Sequence, residues 1–430
     1  MATSPPQPKP RPLRHQHAGA AAKPELNVRA DFPILGREID GHRLVYLDSA
    51  ATSQKPRAVI DAMSGFYAEH NASVHRGVYR LAEEATALFE GARERIAAFT
   101  GSQAPTTIFT RNATEAINLV AYAWGRSAVG AGDVVLTCVA EHHSNLVPWQ
   151  LLCAERGAEL RYLEVDGEGR IDLGELAAEL ERGSGRVRLL ALAHVSNVLG
   201  TIHPVAEAVA LARAAGACTL IDGSQAAPAL PLDVAAIDAD FYVWTGHKTL
   251  GPTGIGVLHG RREILEAMGP FLTGGDMIRT VDFQEATWNE LPWKFEAGTS
   301  MVAEAVGLGA AVDYLGAIGM DAVRSHERSL TAYALERLGE LDGLRVFGPR
   351  GAEWRGGLVS FALDGIHPHD IAEIANRSAV CIRAGHHCAQ PLMRRLGVGA
   401  TARASFGPYN GRDDVDDLVD ALVDARAVFA

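Results

Sequence analysis

Lys248 stands where an apolar run ends. Asp240-Phe-Tyr-Val-Trp-Thr-Gly-His-Lys248 stops at a polar turn, and Thr-Leu-Gly-Pro-Thr-Gly-Ile-Gly-Val follows as a glycine-rich loop into the next strand. Upstream, Thr219-Leu-Ile-Asp222-Gly-Ser-Gln225 is a second apolar run, closed by a carboxylate. A lysine after a buried strand is ordinarily a solvated surface charge. A lysine and an aspartate at the ends of two neighbouring strands instead suit pyridoxal phosphate (PLP): the amine forms the Schiff base and the carboxylate pairs with the pyridinium nitrogen.

Other strand ends carry groups that fit the same chemistry. Phe109-Thr-Arg-Asn-Ala-Thr114-Glu-Ala-Ile-Asn118 reads as a strand running into a helix. A helix N-terminus offers free N–H groups and a favourable dipole to phosphate, and Thr114 adds a hydroxyl; a plain helix cap is the competing reading. Thr245 and His247, beside the lysine, can supply further phosphate contacts. In Glu141-His142-His143-Ser-Asn145 a histidine can stack on a flat ring and carry protons near neutral pH; alone, such a pair is more simply packed or solvated. Asn197, in His194-Val-Ser-Asn197-Val-Leu-Gly200, and Gln225, one turn beyond Asp222, can donate to an electron-rich ring substituent.

The second concentration of chemistry is Arg383-Ala-Gly-His-His-Cys388-Ala-Gln-Pro. A cysteine among histidines and near an arginine can react as the thiolate. His386, His387, His367 and His369 raise zinc as an alternative, but a structural zinc needs three or four ligands at defined spacing and a second cysteine is missing, so no metal is expected. Arg403 can grip a carboxylate with its planar fork.

Short apolar runs at Val134–Cys138, Arg188–Ala193, Cys218–Ile221 and Asp240–Trp244 must position these groups. They alternate with helix-like stretches such as Asn145–Arg156 and Val205–Ala215. The alternation, from about Leu44 to Gly260, predicts an α/β domain with a largely parallel sheet, in which ligands bind beyond the carboxyl ends of the strands. Ala303–Gly316 and Asp321–Leu341 read as long helices. Leu358–Leu363 and Ser378–Arg383 read as strands, and His369–Arg377 and the stretch from Arg412 as helices. The expected division is a tail over 1–25, a segment over 26–43 packing on the small domain, a large α/β domain over 44–314 and a smaller α+β domain over 315–430.

The chain has 430 residues, 47% hydrophobic and 21% charged, with a formal net charge of −12. This is ordinary globular composition and argues against nucleic-acid binding through a basic surface. No apolar run is long enough to span a bilayer, so no membrane partner is expected. The tail, rich in proline, alanine and basic residues, lacks an apolar signal core and is expected to be disordered. The five cysteines are scattered, which fits a reducing compartment, the cytoplasm.

Taken in order, Tyr46-Leu-Asp-Ser-Ala-Ala-Thr, His75-Arg-Gly, Arg111-Asn-Ala-Thr-Glu-Ala-Ile-Asn, Glu141-His-His, His194-Val-Ser-Asn-Val-Leu-Gly, Asp222-Gly-Ser-Gln, Thr245-Gly-His-Lys, Phe295-Glu-Ala-Gly-Thr299, Arg383-Ala-Gly-His-His-Cys and Arg403-Ala-Ser closely resemble the SufS-type (group II) cysteine desulfurases. These belong to the fold-type I PLP-dependent transferases, and the resemblance runs from about Asp31 to Phe429. It implies a homodimer that converts L-cysteine to L-alanine and passes the sulfur on, for iron–sulfur cluster assembly. At matching positions Lys248 holds PLP and acts as the base at Cα. Asp222 pairs with the pyridinium, Gln225 meets the ring oxygen and His142 stacks on the ring. Thr114, Thr245 and His247 hold phosphate, joined by Thr299 of the partner subunit. Asn197, Arg403 and Arg383 take the substrate carboxylate, and Cys388 accepts the sulfur as a persulfide. Thr245 is often serine in relatives, and Asn112-Ala113 varies the phosphate loop. Asp364-Gly-Ile-His367-Pro-His369-Asp370 resembles relatives that serve a zinc-bearing SufU-type acceptor, where the residue matching His369 takes the place of an acceptor cysteine on zinc; a helix cap is the simpler role for His369. Selenocysteine lyase, or another PLP reaction on the same fold, is the alternative activity.

Overall fold

The computed structural model describes residues 26–429, so the tail expected over 1–25 lies outside the described residues. Seven strands build the principal sheet: β1 (Thr107–Thr110), β2 (Val134–Cys138), β3 (Glu159–Leu163), β4 (Val187–Ala193), β5 (Cys218–Asp222), β6 (Phe241–Thr245) and β7 (Gly256–Gly260). Their order is β1-β7-β6-β5-β4-β2-β3. Neighbours from β3 across to β6 are parallel; β7 runs antiparallel to both β6 and β1.

The sheet is covered on both faces, which is why its strands are continuous apolar runs rather than alternating ones. Along β6, Tyr242 and Trp244 enter one core, while Phe241 and Val243 enter the other. Helices α1 (Arg57–Gly65), α2 (Arg80–Phe99), α5 (Leu173–Gly183) and α6 (Val205–Ala214) bury apolar residues in the first core; α3 (Ala113–Leu119) and α4 (Val147–Arg156) do so in the second. α4 starts two residues later than the sequence predicts, with Pro148 in its first turn, and ends at Gly157 in the left-handed conformation, a position that glycine occupies without a Cβ penalty.

The long helices are α7 (Val302–Ile318) and α8 (Met320–Gly339), which bend by 76° at Gly319. A second sheet follows, with β8 (Leu344–Phe347), β9 (Leu358–Leu363), β10 (Arg383–Gly385) and β11 (Thr401–Ser405) in the antiparallel order β8-β9-β11-β10. It packs with α8, α9 (Pro368–Arg377) and α11 (Arg412–Phe429) around its own apolar cluster; α10 (Gln390–Leu396) joins β10 to β11. The strand predicted over 378–383 is broken. Val380–Cys381 pairs parallel with Val45–Tyr46, and β10 pairs antiparallel with β11, so the chain changes partner at Ile382.

Residues 26–53 tie the two sheets together, since Ser53 donates through its amide and hydroxyl to the His247 carbonyl after β6 while earlier residues hold the second sheet. Arg29 and Arg43 bind Asp414 of α11, the Leu26 amide donates to His326 of α8, and Asp48 bridges to Ser405. Among the described residues, no single helix is long and apolar enough to cross a membrane.

Candidate active site

A cavity of about 210 Å³ opens at the carboxyl ends of the principal strands, where the second sheet faces them. The connection from β2 leads to β3 on one side, while β4, β5 and β6 succeed one another on the other. The order therefore reverses between β2 and β4, where open α/β sheets bind ligands. Thr114, His142, Asn197, Asp222 and Gln225 line the cavity from the strand ends, together with Thr245, His247 and Lys248 after β6. Arg383, Cys388 and Arg403 close it from the second sheet.

Lys248 ends a short turn after β6. Burial pushes its amine down to about 8; Asp222 pulls upward, and Arg403 and Arg383 pull further down. A neutral amine is therefore accessible near physiological pH, as a base requires. The carbonyl just before it, that of His247, is pinned by four donors: the Ser53 amide (2.9 Å), Lys55 Nζ (2.8 Å), and the hydroxyls of Thr52 and Ser53 (each 3.1 Å). Asp222 is buried at the end of β5 and accepts from the Ser224 amide at 2.9 Å. His142 Nδ1 accepts from the Ser144 amide at 3.1 Å, so the ring proton sits on Nε2. Burial, then Lys248, pushes this imidazole down to about 4. Burial, then the lysines Lys248 and Lys55, does the same to His247.

Three buried polar atoms on this cavity have no hydrogen-bond partner among the described residues: Thr245 Oγ1, His387 Nδ1 and Arg403 Nε. Buried donors and acceptors are costly when left unpaired, so their convergence marks a place built for a polar ligand. PLP fits the donor set. Asp222 could pair with its ring nitrogen and Lys248 could meet its aldehyde. The Thr245 hydroxyl and the first turn of α3 could hold its phosphate, since first-turn N–H groups have no intrahelical partner. Asn112 caps that helix, accepting from the Glu115 amide at 2.9 Å.

The thiol side is shaped by unusual backbone. His387 and Cys388 have φ of +49° and +59°, a region that costs a residue with a Cβ roughly 1–2 kcal/mol. His387 is buried, with Nε2 near Thr401 O (3.1 Å) and Oγ1 (3.0 Å), whereas His386 is exposed. Arg403 donates to Asn197 O at 2.7 Å and to Asp48 Oδ1 at 3.2 Å, leaving Nε as its free edge. Asn197 Nδ2 donates to His387 O at 2.6 Å, and Gln225 Nε2 to Ala50 O at 2.8 Å. Each of these amides keeps a second hydrogen for a ligand.

Two of the residues to which the resemblance gives a role lie away from the cavity. Thr299 is exposed, and so is His369 on α9. The cap of α9 is His367, whose Nδ1 accepts from the His369 amide at 3.3 Å, with Pro368 at the first position. Asp48 and Lys55 were not singled out, and His143 only as half of a candidate stacking pair. Asp48 stands inside the quoted Tyr46-Leu-Asp48 segment, but only the approach of Arg403 gives it a task.

This fold and site define a pyridoxal-phosphate enzyme of the class-V aminotransferase family, which matches residues 45–418. A cysteine desulfurase of Haloferax volcanii is 49% identical, covering 94% of this chain and 97% of that protein. A probable cysteine desulfurase of Streptomyces coelicolor is 50% identical over the same shares. The solved apo structure of a cysteine desulfurase from Thermococcus onnurineus superposes with a TM-score of 0.88 at 37% identity, covering 94% of this chain and 99% of that one. For the cysteine desulfurase CsdA from Escherichia coli the values are 0.85, 40%, 93% and 98%. The chain belongs to the PLP-dependent cysteine desulfurases.

Proposed function

We propose that this enzyme is of the SufS type and that Cys388 takes the sulfur of L-cysteine directly. The observation that carries this is the Cys388 turn, facing Lys248 and Arg403 across one cavity at the strand ends. PLP, when bound, supplies the sink for the electron pair left at Cα when its proton departs. Asp222 keeps the ring nitrogen protonated, and His142 covers the ring face. Thr114, Thr245 and His247, with Thr299 of a second copy, hold the phosphate, and Gln225 meets the ring oxygen. Arg403, through Nε, binds the substrate carboxylate with Arg383 and Asn197. The Lys248 amine takes the Cα proton.

Cys388 Sγ, as thiolate, then attacks the substrate sulfur. A sulfur–sulfur bond forms, the carbon–sulfur bond breaks, and its electron pair remains on Cβ, which takes a proton. L-cysteine and the Cys388 thiol thus become L-alanine and a Cys388 persulfide, with no outside oxidant or reductant.

The homodimer is supported by the exposed Thr299 and by apolar side chains left in water: Phe283 is fully exposed in the hairpin formed by residues 278–281 and 286–288, and Val78 is 96% exposed. Large apolar side chains left this exposed are common at interaction surfaces. The two separate sheets support a division into domains over 44–314 and 315–430. The free cysteines support a reducing cytoplasm. His369, exposed and not itself the cap of α9, is proposed to meet a zinc-bearing SufU-type acceptor on the route to iron–sulfur clusters.

The test is alanine formation from L-cysteine by wild type and Cys388→Ala at matched PLP content. Alanine from wild type with almost none from the variant supports direct acceptance; equal alanine from both removes Cys388 from the role. In the same assay, His369→Ala should lose stimulation by a zinc-bearing acceptor. Unchanged stimulation removes that contact.

A further inference from the structure

The strained Cys388 turn is held from across the seam between the two sheets. Left-handed backbone at two consecutive side-chain-bearing residues persists only where the surroundings over-determine it. The His387 carbonyl accepts from Asn197 Nδ2 at 2.6 Å, and the Cys388 carbonyl accepts from the His143 amide at 2.8 Å. The His143 ring then reaches past the cysteine, and its Nε2 accepts from the Gln390 amide at 3.2 Å. Gln390 opens α10, whose preceding residue, Ala389, gives no side-chain cap, so His143 caps that helix from another part of the chain. It therefore holds the backbone at the Cys388 carbonyl and again at Gln390, on the side leading into α10, while Asn197 holds the side that precedes the thiol-bearing residue.

We propose that His143 is a positioning residue for Cys388, fixing the strained turn so that the thiol faces the cavity. The inference rests on Cys388 being the sulfur acceptor. Because Nε2 accepts a hydrogen bond, the working form of the ring is neutral with its proton on Nδ1; burial and the neighbouring His386 push its pKa down in the same sense. When the ring is removed, the Gln390 amide loses its partner and the turn can relax, while Lys248 and Asp222 keep their places.

The test compares wild-type holoenzyme with His143→Ala and His143→Gln; the glutamine oxygen reaches about as far as Nε2 and restores an acceptor. PLP content is read by absorbance, and the turn by hydrogen exchange over residues 386–392 and by the rate of Cys388 alkylation with iodoacetamide, both followed by mass spectrometry. Sulfur transfer is read as persulfide formation. His143→Ala should keep its PLP and its KM for L-cysteine, exchange faster, alkylate at an altered rate, and form persulfide about tenfold more slowly, the scale of one lost hydrogen bond. His143→Gln should recover most of each change. If His143→Ala sheds PLP, His143→Met, which fills similar space without an acceptor, replaces it. Wild-type exchange in the alanine variant, faster exchange with an unchanged persulfide rate, or a slow alanine variant that glutamine does not rescue each overturns the proposal. Exchange and alkylation report the turn whatever the role of Cys388, so failure here is distinct from failure of the Cys388→Ala test.

Discussion

Burial holds the imidazoles of His203, His259 and His387 toward the neutral form, because their surroundings do not accommodate a charge. His259 lies within the principal sheet, where Nε2 accepts from Trp244 Nε1 at 3.0 Å and Nδ1 is 3.0 Å from the Thr107 hydroxyl. Burial pushes it down to about 3 from an ordinary 6.5. Between those values the unfolded chain binds a proton that the folded chain does not. Its contribution to stability is therefore full above pH 6.5 and is lost as pH falls. Glu141, pushed up to about 8 by burial, acts in the opposite sense, so a difference between variants isolates the histidine. Urea unfolding of wild type and His259→Gln should show the wild-type advantage at pH 7.5 shrinking by about 2 kcal/mol at pH 5, at about 1.4 kcal/mol per pH unit below 6.5. A constant difference would show that His259 is not neutral in the fold. At this scale the sequence was informative wherever residue type alone carries the chemistry: Lys248, Asp222 and Cys388 each follow a recognisable apolar run or motif. It gave no task to Asp48 or Lys55, and to His143 only a share in a candidate stacking pair; their contacts arise only when segments roughly two hundred to three hundred and fifty positions apart are brought together.

Among the elements, the start of α3 is the most closely specified by its neighbours. A Cβ on Gly256 of β7 would lie 2.6 Å from Asn112 Cα and 2.9 Å from the Ala113 nitrogen, and neither backbone atom can give way without moving the helix. Gly256→Ala should therefore displace the first turn of α3 and lower PLP retention several-fold after dialysis, read from the cofactor absorbance. Unchanged retention would separate that turn from phosphate binding. The strands of the principal sheet were legible because continuous apolar runs of about five residues bounded by polar turns have few other uses. The split of the strand expected at 378–383 was not, since a change of pairing partner leaves no mark on composition. The start of α9 was misplaced by one residue because Pro368, tolerated at a first helical position, looks like a break.

At the scale of the whole molecule, the exposed Phe283 hairpin and the outlying Thr299 point to a second copy. Light scattering should give twice 45.8 kDa, and Phe283→Asp should shift the protein toward monomer with loss of PLP. A wild-type protein that is monomeric and fully loaded would rule out a phosphate contact from a partner. The −12 net charge seen in the sequence carries no information about this surface, because whether an apolar residue such as Phe283 stays exposed is decided only by folding.

The pairing of Val45–Tyr46 with Val380–Cys381 has a bearing on how the chain is made. A ribosome produces Lys248 and Asp222 before the Cys388 turn and Arg403, and the strand at residue 45 waits unpaired until residues 380–381 have been made. Nascent chains and products of premature termination thus contain Lys248 and Asp222 without the thiol. Their unsatisfied strand edge exposes them to the surveillance that acts on incomplete folds.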